Sequence, residues 1–236
     1  MTVAEQRVRR ILCAAAPRGS RKAVTQLLDA AERHEAHALA LLGDLTGPLY
    51  KPEDLRAVLR ALANGGRHAF WVPGPGDAPV EHYLRESHEA ELLVPFLRGV
   101  HGTTAFAPGY VLFAGMGGEI SDDAFEPREE IKALRYPHWE VDYRLKALRD
   151  LDEFELVLMF WTPPADPDRG PGGSEGLAEF VKTHGPRLVV CYGEPEAKML
   201  NDSLVVRPGD LNDGQYAIVN LTTLWTSFEE FAKAVR

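Results

Sequence analysis

Five short stretches join an apolar run to a turn that carries polar or aromatic side chains. They are "AAAPRGS" (14–20), "LLGDLTG" (41–47), "VPGPGD" (72–77), "FWTPP" (160–164) and "VVCYGEPE" (189–196). Arg18 offers a planar guanidinium that neutralises a nearby Asp44 or grips a phosphate or carboxylate directly. Asp44 either holds a cation or caps its own loop by accepting backbone N–H bonds. Asp77 and Glu194 add carboxylates that, with Asp44, amount to an improvised single-metal site for a hard divalent ion such as manganese. Trp161 presents a flat ring that stacks on a base or sugar, or packs into the core as most buried tryptophans do. The expected ligand site is therefore Arg18, Asp44, Asp77, Trp161 and Glu194, with no residue singled out as catalytic and no metal or cofactor required outside that single-metal alternative.

The elements that would position these residues can be read from periodicity. Apolar runs at 8–16, 36–42 and 67–72 predict buried strands. Between them lie two amphipathic helices. The first has Ser20 as N-cap and turns Ala23, Val24, Leu27, Leu28 and Ala31 inward. The second has Pro52 in its first turn, carries Leu55, Val58, Leu59 and Leu62 inward, and stops at Asn64-Gly65-Gly66. This βαβαβ order is the pattern of a largely parallel sheet covered by helices, whose ligands collect beyond the carboxyl ends of the strands. A helix is expected over "VEHYLRESHEAELL" (80–93), a strand over 110–115, and a mainly helical insertion at about 124–153 with Leu145, Leu148 and Leu151 partly buried. Gly115-Met116-Gly117-Gly118 lacks the lysine and spacing of a phosphate-cradling loop, so it reads as a turn or sheet crossing. The last third returns to strands at 155–161, 187–192, 204–207 and 215–221, interrupted by a helix ending at Gly185-Pro186, so a second, mixed sheet is expected. "NDG" (212–214) reads as a hairpin turn. "PPADPDRGPGGSEG" (163–176) reads as a mobile loop inside a single domain of 236 residues.

Composition narrows the classes. With 45% hydrophobic and 26% charged residues, the chain is an ordinary globular protein. Its 26 basic against 35 acidic residues give a net charge of −9, which disfavours nucleic-acid partners. No apolar run reaches membrane-spanning or signal-peptide length, so no membrane association and a cytoplasmic address are the expectation. Cys13 and Cys191 form no CxxC pair and read as buried thiols. The exposed-looking aromatic face of "HWEVDYRLKALRDL", with Trp139 and Tyr143, is expected to serve either as core or as a homodimer surface.

The order and spacing of the five junctions resemble calcineurin-like metallophosphoesterases, whose signature runs D-x-H-G, G-D-x-x, G-N-H-[DE], a lone H often followed by x-P-P, and G-H-x-H. The resemblance covers roughly Arg9 to Leu221 and includes "VVRPGDLNDGQYAIVNL" (205–221), similar to that family's closing strand and hairpin. It implies an α/β fold of two packed mixed β-sheets flanked by helices, a four-layer α-β-β-α sandwich. It also implies two divalent cations that clamp a phosphate and activate a bridging water. Matched position by position, Ala16-Pro17-Arg18-Gly19 stands at D-x-H-G and Gly43-Asp44 at G-D. Gly74-Pro75-Gly76-Asp77 stands at G-N-H-[DE], Trp161 at the lone histidine, and Tyr192-Gly193-Glu194-Pro195 at G-H-x-H. Only Asp44 keeps a ligand type, and a lone aspartate cannot hold two divalent ions. None of the eight histidines falls on a ligand position, His88 and His101 being the remaining candidates for a late contribution. The resemblance thus implies a degenerate metal site: a non-catalytic binding or regulatory module whose ligand is an anionic small molecule. The alternative is a phosphoesterase with a single metal on Asp44, Asp77 and Glu194, or an enzyme that grips a small anion with Arg18.

Overall fold

A computed structural model describes residues 6–47, 51–123, 132–168 and 172–231. The first strands and helices alternate: β1 (Arg10–Ala15), α1 (Arg21–Arg33), β2 (Ala38–Leu42), α2 (Pro52–Asn64), β3 (His68–Val72) and α3 (Val80–Leu93). Next come β4 (Leu97–Gly99), β5 (Thr103–Ala107), β6 (Val111–Met116), β7 (Glu119–Ser121) and β8 (Arg135–Pro137). The remainder is α4 (Trp139–Arg144), β9 (Glu155–Phe160), α5 (Glu175–His184), β10 (Leu188–Cys191), β11 (Glu196–Leu200), β12 (Ser203–Arg207), β13 (Gln215–Asn220) and β14 (Thr226–Glu230). Among the described residues these build two six-stranded sheets, ordered β14-β13-β1-β2-β3-β4 and β11-β12-β10-β9-β6-β5, plus a β7-β8 ribbon. The first sheet is parallel from β1 to β4 and antiparallel at β13 and β14, and the second has a parallel centre between antiparallel edges, so the α/β sandwich of two packed mixed sheets is the architecture observed.

The parity of each strand decides what it touches, because successive side chains point to opposite faces. On β1, Ile11, Cys13 and Ala15 enter the layer between the sheets, while Leu12 and Ala14 pack under the helices. On β9, Val157 and Met159 point inward and Leu158 and Phe160 outward, toward the cluster that includes α5. Phe70 and Phe113 stack across the layer with centroids 3.7 Å apart and rings 7° from parallel. Two buried faces per strand explain why these strands read as continuous apolar runs. Helix α1 turns Ala23, Val24, Leu27, Ala30 and Ala31 inward, and its N-cap is Ser20, whose hydroxyl accepts from Ala23 N at 3.2 Å. No helix among the described residues is long and apolar enough to cross a membrane.

Three expectations change. Residues 124–131 lie outside the described residues, and in the rest of the 124–153 segment the helix is broken into short pieces by a strand and turns. Arg135–Pro137 pairs with Glu119–Ser121 as a parallel ribbon, α4 has six residues, and Lys146–Asp150 forms a 3-10 turn. Pro137 disfavours a helical conformation in the residue before it and supplies no N–H, which ends any helix started upstream. Leu145 and Leu148 are buried as expected, and Leu151 packs against the same cluster. The second change concerns "NDG". Leu211–Asp213 is a 3-10 turn closed by Gly214 in the left-handed region (φ 91°), and β13 pairs with β1 and β14, not with β12. The turn is therefore a crossing between sheets. Third, the short strands β4, β5, β11 and β14 were not expected. The loop at about 163–176, of which 169–171 lie outside the described residues, is held at its base. There Pro164 bridges Ser174, and Lys198 binds Asp166 at 2.8 Å.

Candidate functional site

The loops after β1, β2 and β3 are laced together by backbone hydrogen bonds. Arg18 N donates to Asp44 O at 2.9 Å and Gly19 N to Leu45 O at 2.8 Å. These bonds hold Ala16 and Arg18 at positive φ (53° and 47°), a conformation that costs a non-glycine residue about 1 kcal/mol. Asp77 locks the next pair of loops. It is fully buried and its carboxylate accepts from Gly74 N, Leu45 N, Thr46 N and the Thr46 hydroxyl at 2.8–2.9 Å. Burial pushes its carboxyl up to about 6, against the opposing pull of those donors. Asp77 is thus a strut between loops and does not line the cleft, contrary to its expected place among the ligand-binding residues.

Asp44 is partly buried, and its Oδ1 accepts from Gly76 N at 2.7 Å. The turn of residues 74–76 wraps so closely that a Cβ on Gly74 would lie 2.2 Å from Asp44 Oδ1, and one on Gly76 would lie 2.8 Å from Asp44 Cγ. That contact is the physical reason for glycine on both sides of Pro75. Burial raises the Asp44 pKa, while the Gly76 N–H and the Arg18 charge oppose the rise.

Arg18 does not pair with Asp44. Its Nη2 lies 2.7 Å from Asp210 Oδ2, with side-chain exposures of 41% and 15%. Asp210 sits in the crossing from β12 to β13, where its carboxylate also caps the 3-10 turn by accepting from Asn212 N at 2.8 Å. Burial raises its pKa, and the Asn212 N–H and Arg18 oppose the rise. Sequence reasoning quoted this stretch but did not single Asp210 out. The available signal was an aspartate directly after Pro208-Gly209, in the loop that must carry the chain back to the first sheet.

At the ends of β9 and β10, Trp161 stacks on Tyr192 with centroids 4.1 Å apart and rings 6° from parallel. Both rings are half-buried against the core between the sheets, so one face of Trp161 is already occupied. Glu194 is exposed beside them. Arg18, Tyr192, Gly193, Glu194, Asp210 and Gln215 line an open cleft of about 740 Å³. The structure therefore gathers Arg18 and Glu194 around this cleft and leaves Asp44 behind Arg18. His101 is half-buried elsewhere, between Gly117 N at 3.0 Å and the Tyr136 hydroxyl at 3.0 Å, and desolvation pulls its pKa down to about 3. His88 lies exposed on α3.

Divalent cations need several hard donors each. Among the described residues, no three His, Cys, Asp or Glu side chains form a group that could hold a metal ion. Asp44, Asp77 and Glu194 are not brought together: one is bound to Gly76, one is spent between loops, and one stands in solvent. The donor set present does not fit a two-metal centre. What it offers is a fixed guanidinium between carboxylates, beside an aromatic pair.

Comparison with known proteins places this architecture. Residues 49–231 match the family described as metallophosphoesterase, calcineurin superfamily. The crystal structure of TT1561 of Thermus thermophilus is 40% identical, with a TM-score of 0.90 over 94% of this chain and 99% of that one. A dimetal phosphatase from Danio rerio shares the fold at 9% identity and a TM-score of 0.60, over 95% of this chain and 96% of that one. No curated protein matches. On the match to more than half its length, and with two six-stranded mixed sheets in the arrangement of these relatives, the chain belongs to the calcineurin superfamily of metallophosphoesterases.

Proposed function

We propose that this chain is a binding module that keeps the metallophosphoesterase fold and has left two-metal hydrolysis. The observation that carries the reading is Arg18, which stands at the first loop's histidine position and is ion-paired to Asp210 across the cleft. A guanidinium supplies a permanent positive charge and five donors but no lone pair for a metal. In the third loop Pro75 and Gly76 carry no ligand atoms, Trp161 stands at the lone histidine's position stacked on Tyr192, and Gly193 and Pro195, at the last two histidine positions, offer no side-chain donor.

The ligand that suits these groups is a small molecule with both an anionic group and several hydroxyls, such as a sugar phosphate or nucleotide. Its anion engages the exposed part of Arg18, and its hydroxyls donate to Asp210 and Glu194. Two measurements test this together. Purified without chelators, the protein carries no stoichiometric transition metal and turns over neither phosphomonoesters nor phosphodiesters with added manganese. In a thermal-shift screen, members of the nucleotide and sugar-phosphate set raise the melting temperature of the wild type but not of Arg18→Ala. Two bound metals per chain, or turnover abolished by Asp44→Asn, would sink the reading.

A further inference from the structure

Helix α3 leaves its leucines uncovered. Its buried face carries Tyr83, Glu86 and Ser87, each engaged by polar neighbours or burial beneath β3. Arg56 grips Glu86 through Nε at 2.5 Å and Nη2 at 2.7 Å, and Trp71 Nε1 donates to Ser87 Oγ at 3.2 Å. Three leucines at different points around it stay exposed: Leu84 is 50% exposed, Leu92 72% and Leu93, on the side toward α2, 82%. A surface helix ordinarily buries its leucines, because a leucine left in water forgoes the gain of burial. Beside Leu93, α2 and α3 enclose an apolar groove of about 310 Å³ walled by Leu59, Ala63, Ala90, Val94 and Leu97. Its rim carries Arg60 on α2 and Glu89 on α3, both exposed. Neither forms an ion pair among the described residues, whereas Arg56 and Glu86 between them do.

A patch that joins to a copy of itself must hold both halves of every contact, since a two-fold axis brings residue i to j and j to i. This face does so twice. It has a projecting leucine and an apolar recess, and it has an unpaired cation and an unpaired anion on opposite walls. We propose that the α2/α3 face is a homodimer surface, in which Leu93, at the edge of the groove of one copy, packs into the groove of the other and Arg60 meets the partner's Glu89. The aromatic surface of α4 lacks this complementarity. Trp139 and Tyr143 are exposed, but Lys146 Nζ covers the Tyr143 ring at 5.2 Å, and the neighbouring charges are satisfied internally by Arg144–Glu140 and Arg149–Asp142.

Sedimentation equilibrium on the full chain, across a range of concentrations, tests the proposal. The wild type runs at twice the mass of the chain, and Leu93→Glu weakens association by about 100-fold, the effect of putting a charge on a central apolar anchor. Arg60→Glu and Glu89→Arg each weaken it by about tenfold, and the double variant, which restores opposite charges across the axis, returns to within about threefold of wild type. Because Arg60 and Glu89 are exposed, all charge variants keep the wild-type melting temperature when measured as monomers. A wild type that stays monomeric throughout overturns the proposal. So does a dimer indifferent to Leu93→Glu, one that the charge swap fails to rescue, or one lost in Trp139→Ala and not in Leu93→Glu.

Discussion

The two sheets end in different materials. Beyond β1, β2 and β3 the chain is bound to itself: backbone bonds lace Arg18 to Asp44 and Gly19 to Leu45, and the buried Asp77 carboxylate ties two loops with four hydrogen bonds. Beyond β9 and β10 the chain presents side chains: Tyr192, backed by the ring of Trp161, and the exposed Glu194 line the wall of an open cleft. The first region is positioned by groups that cannot change without loosening the fold. The second can exchange side chains at small structural cost. The difference teaches that in this chain the family's loop geometry persists through hydrogen bonds to backbone, which do not depend on a metal.

The comparison breaks if the first region proves tolerant. Asp77→Ala removes the acceptor for three backbone N–H groups and one hydroxyl in a dry site, and should destabilise by about 4 kcal/mol, allowing about 1–3 kcal/mol per orphaned donor with partial relaxation. At about 2–4 °C per kcal/mol for a chain of this size, that is a fall of about 10 °C in melting temperature. A loss below about 1 kcal/mol would show that the strut is dispensable.

The next test uses pH. His101 has its folded pKa lowered by desolvation to about 3 from 6.5, so the unfolded chain binds the extra proton between those values. Its contribution is whole above pH 6.5 and is lost as pH falls toward 3. Asp77 is the opposite case: with a folded pKa of about 6 against 3.8, the folded chain holds the extra proton between those values. Its contribution is whole below 3.8 and is lost as pH rises through 6. Between about pH 4 and 6 these two slopes oppose one another. His101→Gln removes one of them, so its stability deficit against wild type should shrink by about 1.4 kcal/mol per unit as pH falls from about 6 to about 4. Urea denaturation at several pH values would read this, and a constant deficit would count against the neutral histidine.

Smaller effects sharpen the contrast. Pro75 opens the 3-10 turn of residues 75–77, where its fixed φ restricts the unfolded chain. Pro75→Asn should cost about 1 kcal/mol and create no phosphoesterase activity; activity appearing with manganese would mean that one ligand was all the loop lacked. Smallest in stability is Arg18→Ala. The ion pair with Asp210 is two-fifths exposed on the arginine side, so its loss should cost about 0.5 kcal/mol after solvent screening. The same variant should nevertheless lose the ligand-induced thermal shift. A large destabilisation would mean that the Arg18 side chain, and not only its backbone, holds the first region together.

Much of the fold was legible because it rests on local pattern. Buried parallel strands read as continuous apolar runs, Ser20 and Pro52 mark helix starts, and the five junctions fall where those strands stop. The site was legible in position and much less in contact. Arg18 and Asp210 are 192 residues apart in sequence, and nothing local chooses Asp210 over the nearer Asp44. An aspartate in a tight turn reads alike whether it faces a cleft or, like Asp77, the loops behind it. The segment after residue 124 misled for another reason: its charged, leucine-spaced pattern fits a helix, but the pairing of Arg135–Pro137 with β7 and the proline within it override propensity.

The Arg18–Asp210 pair has one further consequence. A metal centre has a dissociation constant, so its charge depends on the free ion concentration and vanishes in a chelator. A guanidinium is covalently part of the chain and stays protonated across the whole biological range. Under the proposed binding-module reading, the positive pole of this cleft is a fixture of the chain, and ligand binding is expected to be the same in a metal-poor medium as in a replete one.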